Sequence, residues 1–201
     1  MSDTFSPVEQ AASLMAGFKH PWLIAGGWAI DLHLGRVTRP HKDVDIMVFR
    51  RDQLHLWERF AGWHLYVAHS GQLYAWRKGD YLQPPLFGIW AYHPERHPPH
   101  TPDMQPNLEF LLDDLSTSGD VWRFRRNAAI TLPVAQLIMR TEAGVPFLSP
   151  EIALLYKAKN NRPQDTCDFN NVREVLDEER AEWLAQALKV SLPGHEWLAR
   201  L

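Results

Sequence analysis

The sequence predicts an α+β fold, a mixed β-sheet with flanking helices followed by a small C-terminal helical region. Three observations carry this expectation. Glycine-punctuated apolar bursts alternate with amphipathic stretches over the first sixty or so positions, a middle section of short alternating runs has strand periodicity, and the last third has helical spacing. At 201 residues and 23.3 kDa the chain can bury one sizeable core, or a core plus a small annex. Its 45% hydrophobic and 22% charged fractions exclude disordered, collagen-like and coiled-coil classes.

Pro7 opens a helical pattern in which Val8, Ala11, Ala12, Met15 and Phe18 recur at spacings of three and four, ending before Pro21. Trp22 to Ala25 reads as a short strand stopped by Gly26-Gly27. Trp28, Ile30, Leu32 and Leu34 then lead to Gly35, a natural helix stop. Val44, Ile46, Val48 and Phe49, after Asp43, give the strongest strand signal, and a helical stretch from Gln53 to Phe60 follows. From Trp63, the runs His64 to Ala68, Leu73 to Arg77 and Ile89 to Tyr92 read as hairpins widening the same sheet. His93 to Pro106 carries five prolines and three histidines and reads as a loop. Asn107 to Leu112 returns as a strand. Beyond Gly119 the basic, strand-like segment VWRFRR precedes a helical third. There Ser149 and Pro150 are placed as N-cap and first-turn residue of a helix reaching about Asn160, with two or three more helices after it. The composition shift near residue 115 divides the chain into 1–115 and 116–201.

Charge and cysteine usage narrow the function classes. Twenty-one basic against 24 acidic residues give a net charge of −3, so no global positive field recruits nucleic acid or an anionic membrane. The single cysteine, Cys167, closes no intramolecular disulfide; with no base partner in sequence it is expected to pack. The opening MSDTFSPVEQ lacks the basic and apolar regions of a secretory signal, and the apolar runs fall far short of the roughly 20 residues of a membrane span, so a cytoplasmic location is expected.

The informative segment is GGWAIDLHLGRVTRPHKDVDIMVF, from Gly26 to Phe49. A Gly-Gly pair at a strand-to-helix turn lets the backbone approach an anion while the helix N-terminus presents free N–H groups, which suits a triphosphate; a plain glycine turn is the alternative. Asp43 and Asp45 are two apart at the start of a strand, so their side chains share a face and can hold one or two hard cations. Magnesium takes few carboxylates plus substrate phosphate oxygens, and this is a nucleotide-triphosphate arrangement. The alternative for that pair is a solvated turn.

The order of glycine turn, helix, Gly35-Arg36, Thr38-Arg39, His41 and Asp43-x-Asp45 on an apolar strand resembles the DNA polymerase β-like nucleotidyltransferase superfamily. More specifically it resembles the small adenylyltransferases that modify lincosamides and the 2″ position of aminoglycosides. The resemblance covers Gly26 to Val48 and implies a polymerase β-like catalytic domain over 1–115, with the helical region 116–201 packed on it. It implies that Asp43 and Asp45 bind two Mg2+ ions and that a third carboxylate on a neighbouring strand completes the site. Asn107 to Asp114 offers Glu109, Asp113 and Asp114. Glu109 is chosen because it lies within the strand and alternates with Leu108 and Phe110, whereas the two aspartates sit at the strand exit. A Glu stands where relatives often have Asp; metal ligation and removal of the acceptor's proton are both open to it. The segment LLYKAKNNRPQDTCDF resembles the helical annex of small nucleotidyltransferases, which implies that Lys157 faces the nucleotide phosphates. Arg162, Asp165 and Asp168 read instead as a charge network pinning two helices. Arg39 and His41 match the family's loop, with a phosphate-orienting role or a turn role.

The expected reaction is attack of an acceptor hydroxyl on the α-phosphate of an NTP, ATP being expected, with transfer of AMP and loss of pyrophosphate. The acceptor class expected is a small molecule, aminoglycoside- or lincosamide-like. Glu95, Asp103, Asp113 and Asp114 offer an acidic rim for a cationic acceptor; Arg50, Arg51, Arg123, Arg125 and Arg126 offer a basic one for a nucleic acid. Trp63, Tyr66, Tyr74, Trp76, Tyr81, Trp90 and Tyr92 offer stacking surface or core. His93, His97 and His100 suggest zinc as an alternative, but they lie in a proline-rich loop without cysteines. Two alternatives stay open: a toxin or regulator of this fold acting on a protein or tRNA, and a nucleotide-binding protein without turnover.

Overall fold

The structure is a computed structural model, which describes residues 4–95 and 107–201. His97, His100 and Asp103 lie outside the described residues. Among the described residues, ten strands and seven α-helices follow in the order α1 (Ser6–Met15), β1 (Trp22–Ile24), α2 (Gly26–Leu34), β2 (Asp45–Phe49), α3 (Leu56–Arg59), β3 (His64–His69), β4 (Gln72–Ala75), β5 (Gly88–Tyr92), β6 (Leu108–Leu115), β7 (Val121–Arg123), β8 (Thr131–Pro133), α4 (Val134–Leu137), β9 (Ile138–Arg140), β10 (Pro146–Leu148), α5 (Pro150–Ala158), α6 (Pro163–Arg173) and α7 (Glu178–Ser191). A 3₁₀ turn, Arg50–His55, takes the first three residues of the helix expected from Gln53, and another, Glu196–Ala199, lies near the end of the sequence.

The sheet runs β4-β3-β5-β6-β2-β1-β10-β9, with β7 and β8 continuing from β6. β2 lies parallel to β6 and β1 parallel to β10; the other pairings are antiparallel. Period-two alternation divides the interior between the two faces. Ile46 and Val48 of β2 join Val8, Ala11 and Met15 of α1 and Phe110 of β6. Met47 and Phe49 face the opposite way, onto Ala29 and Ile30 of α2, Ile152 of α5, Phe169 of α6 and Leu188 of α7.

The strand-turn-helix units, the hairpins and the return strand all form where the patterning placed them. Past residue 115 the region holds more strand than the sequence suggested. β9 and β10 form a hairpin, and β10 pairs with β1 in register Phe147 to Ile24, so the sheet itself continues across the composition shift. From Pro150 onward the chain is helical, with Ser149 at the N-cap of α5. Cys167 is exposed on α6, 3.8 Å from Asn171 Nδ2, rather than packed, because α6 turns its other face, Phe169 and Val172, inward. No helix among the described residues is long and apolar enough to cross a membrane.

Candidate active site

β1 ends at Ile24 and α2 begins at Gly26, whose φ of +62° is a left-handed conformation that glycine adopts without strain. Contact makes glycine necessary as well. A Cβ on Gly26 would stand 1.8 Å from Asp45 Oδ2, and one on Gly27 would stand 2.5 Å from both the Arg39 guanidinium and the His41 ring. The turn therefore brings backbone against the Asp45 carboxylate and against the Arg39 and His41 side chains. No side chain caps α2, so its first N–H groups are left to meet an anion.

Parallel pairing of β2 with β6 sets Asp45 directly opposite Glu109. Asp43 precedes the strand itself, in a bend held by the Trp28 indole, which donates to the Asp43 carbonyl at 3.0 Å. Burial, and then the Asp43 carboxylate, raises Asp45 to about 6; burial, and then Asp45, raises Glu109 to about 8. Carboxylates gathered this way gain from a cation. Among the described residues no three His, Cys, Asp or Glu side chains are already drawn into a metal cage.

Asp113 and Asp114 are committed elsewhere. Asp113, fully buried, accepts from Trp122 Nε1 at 2.8 Å, Arg125 Nη1 at 3.0 Å and the Tyr156 hydroxyl at 2.7 Å. Asp114 takes the Arg50 guanidinium, with Nε at 2.7 Å. Neither forms the acidic rim expected of them, and buried Arg50 is withdrawn from the basic one. Glu109 is the carboxylate of β6 that faces Asp45.

The helical annex closes the other wall. Lys157 Nζ lies 2.7 Å from Asp168 and 3.4 Å from Asp165; Arg162 Nε reaches Asp165 at 2.8 Å. Arg39 makes a two-pronged pair with Asp168, at 3.0 and 2.9 Å, joining the loop before β2 to α6. The charge network is present as the spacing suggested, and Lys157 and Arg39 are members of it while still lining the cleft. His41 is held at 2.6 Å by Asp31, a fully buried aspartate that also accepts from Thr38, and its ring lies 4.3 Å from Trp28. Asp31 was missed in the sequence, where it reads as one polar position in an apolar helix.

These walls enclose a cleft of about 650 Å3 lined by Gly26, Gly27, Asp43, Asp45, Glu109 and Lys157, with Arg39, His41, Arg125 and Arg162 around them. All seven residues singled out as binding or catalytic candidates thus converge on one cavity. Arg123 does not join them; it is exposed. Of the middle-section aromatics, Trp76 and Tyr92 are buried, and Tyr74 and Tyr81 lie on the surface.

Lincosamide antibiotic adenylyltransferase LnuA, in a lincomycin-bound crystal structure, aligns with a TM-score of 0.57 over 88% of this chain and 100% of its own, at 15% identity. The chain has the nucleotidyltransferase fold. ANT(2″)-Ia in complex with adenylyl-2″-tobramycin aligns with a TM-score of 0.56 over 93% of this chain and 99% of its own, at 16% identity. The family profile described as aminoglycoside-2″-adenylyltransferase matches residues 8–68, which take in the whole of Gly26 to Phe49. Curated 2″-aminoglycoside nucleotidyltransferases from Escherichia coli and Klebsiella pneumoniae are 65% identical over 26 residues, 13% of this chain; the match spans 15% of their own length. The resemblance read from the glycine turn and the aspartate pair therefore holds for this nucleotidyltransferase fold.

Proposed function

We propose that the protein transfers AMP from a magnesium-bound ATP to a hydroxyl of a small, aminoglycoside- or lincosamide-like acceptor. The observation that carries this reading is the register of β2 on β6, which puts Glu109 beside Asp45 at the floor of a cleft, with the uncapped start of α2 against Asp45 and the helical annex facing it. A triphosphate fits between that helix start and the annex. Gly26 and Gly27 present N–H groups to its oxygens, and Arg39, Arg162 and Lys157 add positive charge around it. Lys157 does so with Asp165 and Asp168 already at its ammonium, so it acts as one member of a fixed network.

Asp43, Asp45 and Glu109 are the residues that would hold two magnesium ions. Bound there, magnesium supplies charge neutralisation for the attacking and leaving oxygens. Glu109, paired across the strands with Asp45 at the floor of the cleft, is the carboxylate placed to accept the acceptor's hydroxyl proton. The rest of the catalysis is positioning, since phosphoryl transfer asks little covalent chemistry of the protein.

Glu109→Gln tests this division of labour. With Mg-ATP and a panel of hydroxyl acceptors, pyrophosphate release should fall by about 100- to 10,000-fold, the usual worth of a general base, while Mg-ATP still binds. An unchanged rate would remove Glu109 from the chemistry.

A further inference from the structure

The side chain of Asp31 is fully buried in α2, and both of its oxygens reach out of the helix into the loop that leads to Asp43. Oδ1 accepts from the Thr38 hydroxyl at 2.5 Å, and Oδ2 meets His41 Nε2 at 2.6 Å. The Asp31 carbonyl takes the N–H groups of Gly35 and Arg36 as well. A single helical residue thus fixes the loop both where it leaves α2 and where it turns back toward β2. A buried carboxylate costs stability unless it is bonded, and this one spends its bonds on the loop rather than on the helix core.

What the loop carries gives that arrangement a purpose. A carboxylate has no hydrogen to offer, so its bond settles that Nε2 is the donor of the His41 ring and that the Nδ1–Cε1 edge turns the other way. That edge stands over the start of α2. A Cβ on Gly27 would lie 2.5 Å from Nδ1, from Cε1 and from Arg39 Nη2. Nδ1 itself bonds to no described residue. The His41 side chain is 5% exposed, and it lines the cleft. Its ring packs on Trp28, 4.3 Å between centroids, and the Trp28 indole donates to the Asp43 carbonyl. The start of α2, the Arg39 guanidinium and the bend carrying Asp43 therefore all meet at a ring that Asp31 holds.

We propose that Asp31 is a positioning residue for the nucleotide: acting through His41, it holds the Nδ1 edge beside the Gly27 N–H and Arg39 in the arrangement that receives the triphosphate. The inference rests on the nucleotidyltransferase reading and adds to it a residue that touches neither nucleotide nor reacting atoms. Without Asp31 the ring is free to turn about its Cβ–Cγ bond, and binding must then include the cost of ordering it.

The test is calorimetric titration of the full chain with Mg-ATP and no acceptor, so that binding is read rather than turnover. Asp31→Ala should weaken Mg-ATP by about tenfold or more, as expected for losing the partner that orients a functional histidine. Asp31→Asn should retain most of the affinity, since the amide still holds both Thr38 and the ring. His41→Gln keeps an amide within reach of Asp31 but lacks the Nδ1 edge; it should unfold at the wild-type midpoint and yet weaken Mg-ATP by a similar factor, and it carries the test should Asp31→Ala not fold. The double variant Asp31→Ala/His41→Gln should bind no more weakly than either single variant, because the two residues act as one, whereas a merely structural Asp31 would add its own loss. Wild-type affinity in Asp31→Ala or in His41→Gln, or additive losses in the double variant, would overturn the proposal. Failure of the wild type itself to bind Mg-ATP would overturn the underlying nucleotide reading, and the role of Asp31 with it.

Discussion

Asp45→Asn should abolish turnover, by about a thousandfold or more, and yet leave the protein as stable as the wild type or more so. Loss of activity follows from removing a charge that would balance the reacting phosphate. The stability expectation follows from the position of Asp45 in the metal-free fold. Its folded pKa is raised from 3.8 to about 6, by burial first and then by Asp43. A group whose folded pKa lies above its unfolded value favours the fold while protonated, and that contribution is lost as pH rises from about 4 through about 6. Asparagine fills the same volume without the charge. Thermal unfolding without metal should therefore give Asp45→Asn an equal or higher midpoint at pH 7.5 and a smaller difference at pH 4. A midpoint lower by many degrees would make Asp45 a structural residue.

The second large effect is the reverse, a stability loss at a residue outside the chemistry. Asp113→Ala removes one carboxylate and orphans three donors, Trp122 Nε1, Arg125 Nη1 and the Tyr156 hydroxyl. Breaking a buried charge pair from one side costs about 3–5 kcal/mol, since the remaining charge is left uncompensated. For a chain of this size each kcal/mol moves the midpoint by about 2–4 °C, so a fall of roughly 6–20 °C is expected by calorimetry. Asp113→Asn should recover part of it, because an amide oxygen still accepts two of the three bonds. If Asp113→Ala instead kept its midpoint and lost only activity, Asp113 rather than Glu109 would be the third carboxylate.

The fold's first half was legible because local patterning and backbone demands agree there. The apolar burst before Gly26-Gly27, the alternation after Asp43 and the stop at Gly35 each reflect a short-range constraint, and the structure has β1, α2 and β2 where these fall. Alternation with Leu108 and Phe110 singles out Glu109, and both of those face the core. What stayed hidden depends on distant partners. β9 and β10 are three residues each, too short for periodicity, and β10 enters the sheet by pairing with β1. Arg39 meets Asp168 across 129 positions, and Asp113 is recognisable as a hub only once β7 and α5 fold over it. A polar residue in an apolar helix, as Asp31 is, was the one available signal for its pairing with His41.

The central claim is that the cleft binds a magnesium-nucleotide complex through Asp45. Its most direct measurement is thermal unfolding of wild type and Asp45→Asn with each of the four NTPs, with and without magnesium. A ligand at about 100 times its dissociation constant adds roughly 2.7 kcal/mol, which for this chain length raises the midpoint by about 5–10 °C. The account predicts such a rise for wild type with Mg-ATP, dependent on magnesium and absent in Asp45→Asn. No rise with any NTP, or an equal rise in the variant, would contradict it.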